Sequence, residues 1–238
     1  MVTKNQIKLV VNLKQKKYRT QHELFVVEGE KLVNELLDAG IQLLDLFVDT
    51  EKKAKHFQEA KLVSKANMKQ MSSLSNPNGV LGVFKVPSPK PIGEDDWVLA
   101  LDAVRDPGNL GTIIRLCDWF GIKYLICSSD TVECYNPKVL QATMGSIARV
   151  NIVYTDLEAY LKQTSLPMYG AFMDGNSIYQ QKLPTKGILV MGNEANGISE
   201  TIGGLITSQI SIPQYGETTA ESLNVATATA ILLNEIRR

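Results

Sequence analysis

Five side chains suited to chemistry lie in three stretches, each of which contains or follows an apolar, strand-like segment in the carboxyl-terminal part of the sequence. They are two asparagines, an arginine, a glutamate and a serine: Asn109, Arg115, Glu194, Ser222 and Asn224. A guanidinium beside a glycine-rich turn can contact a phosphate or a developing oxyanion. Because open α/β folds place ligands at the carboxyl ends of their strands, the pattern indicates a binding or catalytic site at such an edge.

The first stretch, residues 101–121, is predicted to form the end of a strand, a turn and a helix. Asn109 can cap this helix, and Gly121 can terminate it. Arg115 would then lie on the helix, where two interpretations stay open. It is either a surface cation paired with Asp118 one turn away, or a ligand for a phosphate or an oxyanion.

The second stretch, residues 187–199, runs from a buried strand straight into a sharp turn between Gly192 and Gly197. The glycines could simply satisfy the geometry of this turn. Glu194 stands between two asparagines, so its carboxylate is either a partner for a helix N-terminus or a site residue.

The third stretch, residues 208–238, begins with a strand that Pro213 must end. Thr218 and Glu221 fit a capping box, which predicts a helix from near Thr219 through Leu233. Ser222 and Asn224 would lie in its first turn. The buried face of this helix would be formed by Leu223, Ala226, Ala230 and Leu233.

The distribution of elements and charge divides the chain into two parts. Residues 1–88 contain a mixture of strands and helices typical of a small α/β domain, and the proline-rich residues 89–96 form the best linker. Strands and helices alternate over residues 97–238, which predicts a largely parallel sheet covered on both faces. Residues 1–90 hold 15 Lys and Arg against 9 Asp and Glu, whereas residues 91–238 hold 10 against 16.

Composition excludes several other classes of protein. No apolar run approaches the roughly 18 residues of a membrane span, so we expect a cytoplasmic protein. The three cysteines are odd in number and lack a CxxC spacing, which indicates neither a disulfide framework nor a metal site, and Cys117 and Cys127 fit apolar core positions. The sequence lacks GxGxxG, GxxxxGK[ST] and HExxH motifs, so dinucleotide, P-loop and zincin sites are not indicated.

The segments DPGNLGTIIR, LVMGNEANGIS and IPQYGETTAESLNVATATAILLNE closely resemble, in this order, the three motifs of the SpoU/TrmH family of RNA 2′-O-ribose methyltransferases. The front segment KYRTQHELFVVEGEKLVNELL resembles the substrate-binding domain of the same family more loosely. The resemblance implies a SPOUT-type parallel sheet with a carboxyl-terminal trefoil knot, a small N-terminal α/β (L30e-like) domain, and a homodimer.

The resemblance also implies S-adenosylmethionine as the cofactor. Its pocket maps onto six residues: Phe172, Met191, Gly192, Ile212, Ser222 and Leu223. The family's catalytic pattern maps onto Asn109, Arg115, Glu194, Ser222 and Asn224. Arg115 would stabilise the forming alkoxide, because a guanidinium with a pKa above about 12 is a poor acceptor of a proton. Asn109 and Asn224 would orient Arg115 or the ribose, and Glu194 would fix the second turn.

The expected partner is a tRNA or an rRNA. The first twenty residues contain no acid, and their cations Lys14, Lys16, Lys17 and Arg19 are predicted to contact the RNA backbone, although such a run can also be a solvated helix face. Two other functions stay open: a non-catalytic RNA-binding or ribosome-assembly factor with the same fold, and methylation of a base nitrogen.

Overall fold

The computed structural model of the chain describes residues 2–216 and 222–238. The elements of the front part are α1 (Lys4–Asn12), α2 (Lys16–His22), β1 (Leu24–Glu28), α3 (Glu30–Asp38), β2 (Leu43–Val48), α4 (Glu51–His56), β3 (Lys61–Leu62), α5 (Lys65–Met71) and β4 (Val80–Lys85). The turn from β1 into α3 lies at Gly29, where φ is +102° and a side chain would be strained.

These strands form a four-stranded sheet in the order β1-β4-β2-β3. β4 pairs antiparallel with both β1 and β2, and β3 adds a short parallel edge. Side chains on one face, including Phe47, Leu81 and Val83, pack in one cluster with Val10 of α1 and Met68 of α5. The helices α1 and α5 therefore cover the same face of this sheet.

The remaining elements alternate along the chain. They are β5 (Trp97–Leu101), α6 (Pro107–Trp119), β6 (Tyr124–Ser128), α7 (Pro137–Thr143), β7 (Asn151–Thr155), α8 (Leu157–Gln163), β8 (Met168–Ser177), β9 (Gly187–Met191), α9 (Glu200–Gly203), β10 (Ser208–Ser211) and α10 (Val225–Ile236). The six strands form one sheet in the order β10-β8-β9-β5-β6-β7, and every neighbouring pair is parallel. The predicted parallel α/β sheet is confirmed.

The chain folds into two compact units. One contains the residues up to Ser88 together with Glu133–Ala148, and the other contains Pro89–Val132 with the described part of Arg149–Arg238. The sequence division placed residues 133–148 in the carboxyl-terminal part, so the structure differs there. Within the first unit, the ring of Tyr135 lies 4.5 Å from that of Phe25, centroid to centroid, and ties this segment to β1.

The last helix begins later than predicted. Asn224 caps it, because its Oδ1 accepts hydrogen bonds from Ala226 N at 3.0 Å and Thr227 N at 3.3 Å. The expected capping box of Thr218 and Glu221 falls outside the described residues. Ser222 and Asn224 are therefore not in the first turn but in the segment before the helix.

The buried face of α10 also differs from the prediction. Leu223 was expected to be buried but is 49% exposed, and Ala230 is only half-buried. The face instead consists of Val225, Ala226, Thr229, Leu232 and Leu233. Among the residues that the structure describes, no helix combines the length and apolar character needed to cross a bilayer.

Candidate active site

The first and second stretches leave the parallel sheet side by side. Leu101, the last residue of β5, pairs with Met191, the last residue of β9, and Asp102 N donates to Met191 O at 2.9 Å. Both turns therefore begin at the carboxyl edge of neighbouring strands, which is the part of the sheet where the sequence predicted the site.

The helix of the first stretch begins earlier than predicted. Asp106, not Asn109, is its N-cap: the Asp106 Oδ1 accepts a hydrogen bond from Asn109 N at 2.8 Å, and Pro107 occupies the first helical position. Proline suits that position because its missing N–H would have no partner inside the helix. Asn109 thus lies in the first turn of α6 with its side-chain amide available for other contacts.

A strained residue joins β5 to this helix. Ala103 has φ of +57°, a left-handed conformation that costs energy for a residue with a Cβ. Its N donates to Ser128 Oγ at 2.9 Å, and its O accepts from Asn193 Nδ2 at 2.6 Å. These contacts hold Ala103 in place and connect the first turn to the second.

The second turn is held by Asn193 as well as by Glu194, which was predicted to fix it and whose Oε2 accepts from Asn193 Nδ2 at 3.4 Å. The Asn193 Oδ1 accepts hydrogen bonds from Ala195 N at 2.9 Å and Asn196 N at 3.2 Å. A Cβ on Gly192 would lie 2.1 Å from the carbonyl carbon of Gly197, so only glycine allows the chain to close so tightly. Sequence analysis gave Asn193 and Ala103 no role; an asparagine in a glycine-bounded turn was the available signal for Asn193.

Glu194 connects the second turn to the start of α6. Its Oε1 accepts from Asn109 Nδ2 at 3.0 Å and from Asp106 N at 3.4 Å, and its Oε2 accepts from Arg105 N at 3.4 Å. A carboxylate is favoured at this place, because the N-terminus of a helix carries partial positive charge and unpaired N–H groups. Glu194 is therefore an acceptor held by several donors.

Asn224 adds the third stretch to the same site. While its Oδ1 caps α10, its Nδ2 donates to Asn109 Oδ1 at 2.9 Å. Asn224, Asn109 and Glu194 consequently form a continuous line of side-chain hydrogen bonds, which we call the amide chain. It contains one residue from each of the three stretches, and every donor in it points toward the carboxylate.

Comparison with known proteins identifies the family of the chain. The family model described as the SpoU rRNA Methylase family matches residues 96–234, and a model described as an MRM3-like substrate binding domain matches residues 4–82. The chain belongs to the SpoU rRNA methylase family. Membership confirms the predicted family and the predicted enzyme class, an RNA methyltransferase, and with it S-adenosylmethionine as the cofactor.

Individual relatives of this SpoU chain match along nearly its whole length. The Bacillus subtilis 23S rRNA (guanosine(2553)-2′-O)-methyltransferase RlmP is 31% identical over 230 residues, which cover 93% of the chain and 92% of RlmP. A TrmH-family structure from Porphyromonas gingivalis has a TM-score of 0.91 at 37% identity. The match covers 100% of this chain and 98% of the P. gingivalis chain. An AdoMet-bound rRNA methyltransferase structure from Sinorhizobium meliloti has a TM-score of 0.87 at 30% identity, covering 100% and 95%.

Arg115 of the SpoU domain does not join the amide chain. It lies on α6 six residues beyond Asn109, a rise of about 9 Å along the helix, and its side chain is exposed. Within residues 2–216 and 222–238 it makes no hydrogen bond or ion pair. The alternative pairing with Asp118 is not observed, because Asp118 accepts from Arg149 Nη2 at 2.8 Å and from Arg149 Nε at 3.0 Å.

The residues predicted for the cofactor pocket include members of three adjacent strands or of the segments that follow them, and Phe172 lies in the middle of β8. Met191 is the last residue of β9 and Gly192 follows it, while Phe172 lies two residues beyond Gly170, which pairs with Val190 of β9. Ile212 follows β10 directly. Phe172 and Ile212 are only half-buried and Leu223 is largely exposed, while Ser222 is exposed, so apolar surface and polar groups are both available to a ligand.

The helices α6 and α10 are held together at both ends. The amide chain joins their N-terminal ends, while Arg237 Nε donates to Phe120 O at 2.8 Å at the carboxyl end of α6. Arg237 also binds both oxygens of Asp96, at 2.7 and 2.9 Å. These hydrogen bonds hold the pKa of Asp96 below its usual value, against the opposing effect of partial burial.

Two of the four cations predicted to bind RNA instead bind oxygen atoms of the first unit. Arg19 is 3% exposed and forms an ion pair with Glu133, while its Nη1 donates to Leu13 O at 2.9 Å and Lys14 O at 2.8 Å. Lys14 Nζ binds the carbonyl oxygen of Ser72 at 2.6 Å. The prediction for Arg19 is wrong, because a buried, paired guanidinium cannot reach a phosphate; Lys16 and Lys17 are exposed.

Proposed function

We propose that this SpoU chain transfers the methyl group of S-adenosylmethionine to the ribose 2′-OH of a nucleotide in ribosomal RNA. The observation that carries the proposal is the amide chain, in which Asn109, Glu194 and Asn224 of the three stretches meet at one edge of the sheet. The 2′-O activity named for the B. subtilis relative supports the ribose as the acceptor, and the rRNA named there supports the substrate class.

The residues predicted for the pocket fit a cofactor of this kind. Phe172, Ile212 and Leu223 expose apolar surface for an adenine ring or a thioether, and Met191 and Gly192 lie at the end of β9. When bound, S-adenosylmethionine supplies an electrophilic methyl group on a sulfonium. A ribose hydroxyl is a poor nucleophile, so the task of the chain is to align it and to help remove its proton.

The arrangement assigns different tasks to the polar side chains. Glu194 is occupied by N–H donors, so it positions Asn109 and the start of α6. Arg115 is free of partners within the described residues, and its guanidinium is available to the substrate oxygen as charge develops on it. Ser222, exposed beside Asn224, offers a hydroxyl to the ribose.

We test this function by measuring transfer of labelled methyl to unmodified rRNA and, separately, to tRNA. The native chain is expected to label rRNA, and Arg115→Ala is expected to lower kcat by a factor of about 10² or more while the Kd for S-adenosylmethionine stays within about twofold. Nuclease digestion and mass analysis should locate the methyl group on ribose. Full activity of Arg115→Ala removes the role of Arg115, and a methyl group on a base contradicts the proposed reaction.

The proposal includes several finer features of the molecule. We infer a carboxyl-terminal trefoil knot of the SPOUT type, an L30e-like fold for the first unit, and a functional division at residues 1–88, 89–96 and 97–238. The family resemblance supports all three features. We also infer that the protein is cytoplasmic, that it uses no metal, and that it acts as a homodimer.

The exposed face of α6 supports the homodimer. Trp119 is 84% exposed and lies one turn from exposed Arg115 on α6. A large apolar ring, which is normally buried, therefore lies on the surface beside the proposed catalytic cation. A second copy of the chain would cover this face. Sedimentation equilibrium should give twice the chain mass, and a monomer at working concentration contradicts the inference.

A further inference from the structure

Two packed helices of the first unit carry a regular set of exposed lysines. On α1 these are Lys4 and Lys8, and on α5 they are Lys65 and Lys69. Each pair is spaced i, i+4, so its members lie on the same side of their helix about 6 Å apart along the axis. Neither helix contains an acidic residue.

All four lysines lie on the solvent-exposed sides of the two helices. Because α1 and α5 pack in one cluster against a single face of the four-stranded sheet, the solvent sides of both helices point away from that sheet. The carboxyl-terminal ends of the helices also lie together. Lys14, two residues beyond α1, donates from Nζ to Gln70 O at 3.2 Å and to Ser72 O at 2.6 Å at the end of α5.

The positive charge of this face is not neutralised by neighbouring groups. Within the described residues, none of the four lysines forms a hydrogen bond or an ion pair through its side chain. Asp45 is a carboxylate that contacts α1: it accepts from Gln6 Nε2 at 3.1 Å and is already paired with Lys61. Like charges at i, i+4 destabilise a helix, so two such pairs on adjacent helices need a reason other than stability.

We propose that the lysine face, formed by Lys4, Lys8, Lys65 and Lys69, binds the phosphate backbone of the RNA substrate. Charge complementarity selects the partner: ammonium groups in two rows match a polyanion, and they do so without reading sequence. The remaining exposed positions of these helices are polar or small, including Asn5, Ala66 and Gln70, and offer no apolar surface to a membrane. This inference rests on the proposed function, since the RNA held here is the methyl acceptor.

The surface differs from the one predicted from the sequence. The basic run of the first twenty residues includes Lys4 and Lys8, but the RNA contacts were predicted at Lys14, Lys16, Lys17 and Arg19, of which Arg19 is buried and Lys14 binds carbonyl oxygens. The proposed face instead includes Lys65 and Lys69. These two lysines lie far along the chain, in a segment to which the sequence assigned no functional residue.

The test compares two variants of the full chain that each lose four positive charges. In the first, Lys4, Lys8, Lys65 and Lys69 are all changed to Gln. In the matched control, four exposed lysines from elsewhere in the first unit, none of them in a described ion pair, are changed to Gln: Lys31, Lys52, Lys55 and Lys85. Neither set touches the candidate active site or the core, and circular dichroism should give the same Tm or a higher one for the first variant.

Binding to an in vitro transcript of 23S rRNA is measured by fluorescence anisotropy at several salt concentrations. The first variant should raise Kd and the KM for RNA at least about tenfold and reduce the slope of log K against log salt by about 3, because each phosphate contact contributes roughly 0.7 to 0.9. The kcat and the Kd for S-adenosylmethionine should stay unchanged. The control should bind within about threefold of the native chain.

The lysine face is overturned by native-like binding of the first variant, or by equal losses in both variants, which would mean that only net charge matters. Stronger binding to phosphatidylserine vesicles than to the transcript, lost in the first variant, would also overturn it in favour of a membrane. Failure of the proposed function is separate, because a native chain that binds RNA through these lysines but labels no RNA leaves the surface in place and removes the reaction.

Discussion

At the scale of single residues, the site depends on the orientation of two side-chain amides. Asn224 must turn its Oδ1 toward the first turn of α10, so its Nδ2 faces Asn109. The Asn109 amide is then oriented in turn, with its Oδ1 toward Asn224 and its Nδ2 toward Glu194. No atom of the amide chain can exchange donor for acceptor without breaking a neighbouring bond.

Asn109→Asp should therefore harm activity more than Asn109→Ala. The alanine loses two hydrogen bonds, whereas the aspartate also places a carboxylate against Glu194 Oε1, and at about 4 Å two like charges repel by roughly 1 to 4 kcal/mol. Mutual repulsion favours protonation of one carboxyl in such a pair, so the aspartate variant should regain part of its kcat as the pH falls from about 7 to about 5. A pH–rate profile parallel to that of Asn109→Ala would contradict this role.

The positions of these residues could be predicted only in part. The three stretches and Asn109, Glu194 and Asn224 were found because apolar runs that end in glycine or asparagine turns are local signals. The cap of α10 was misplaced because Thr218 and Asn224 both satisfy local capping rules, and the contact from Asn224 to Asn109, 115 residues away in sequence, is invisible to them.

At the scale of elements, α6 and α10 form a rigid pair because they are joined to each other at both ends. Asn109 and Asn224 join their beginnings, and Arg237 joins the end of α10 to the end of α6 and to Asp96. Arginine serves well at this position, since its planar fork can bind a carboxylate through two parallel hydrogen bonds while it also reaches helix carbonyl oxygens.

The contact between Asp96 and Arg237 should make the free energy of unfolding depend on pH in the acidic range. The folded pKa of Asp96 lies below its unfolded value, so its contribution is present above about pH 4 and is lost as pH falls through the folded pKa. Asp96→Asn should lower the free energy of unfolding by about 1 kcal/mol at neutral pH, with the difference from the native chain shrinking below about pH 4. Tm measured from about pH 7 to pH 3 checks this, and a difference that grows in acid contradicts it.

At the scale of the whole molecule, the first unit contains a contact between two residues that are far apart in sequence. Arg19 and Glu133 are 114 positions apart, yet they form a nearly buried ion pair inside one unit. This pairing is why the division of the chain could not be drawn at a linker alone. Local patterns identified the proline-rich residues 89–96, but not the return of residues 133–148 to the first unit.

Arg19→Ala should destabilise the protein by about 3 to 5 kcal/mol, because it leaves Glu133 as an unpaired and largely buried charge. The paired replacement Arg19→Met with Glu133→Leu should recover most of that loss, since it removes both charges and keeps the volume. Urea unfolding followed by circular dichroism measures both. A small effect of Arg19→Ala, similar to that of Lys17→Ala on the surface, would return Arg19 to the set of RNA-contact candidates.

The amide chain also determines when, during protein synthesis, the site can first exist. Asn224 is the last of its members along the chain, and its orientation depends on the start of α10, which follows it. A nascent polypeptide that has emerged only as far as the second stretch can contain Asn109 and Glu194 but lacks the donor that orients them. The site of this SpoU chain can therefore form only after the beginning of α10 has been synthesised, later than every residue of the first unit.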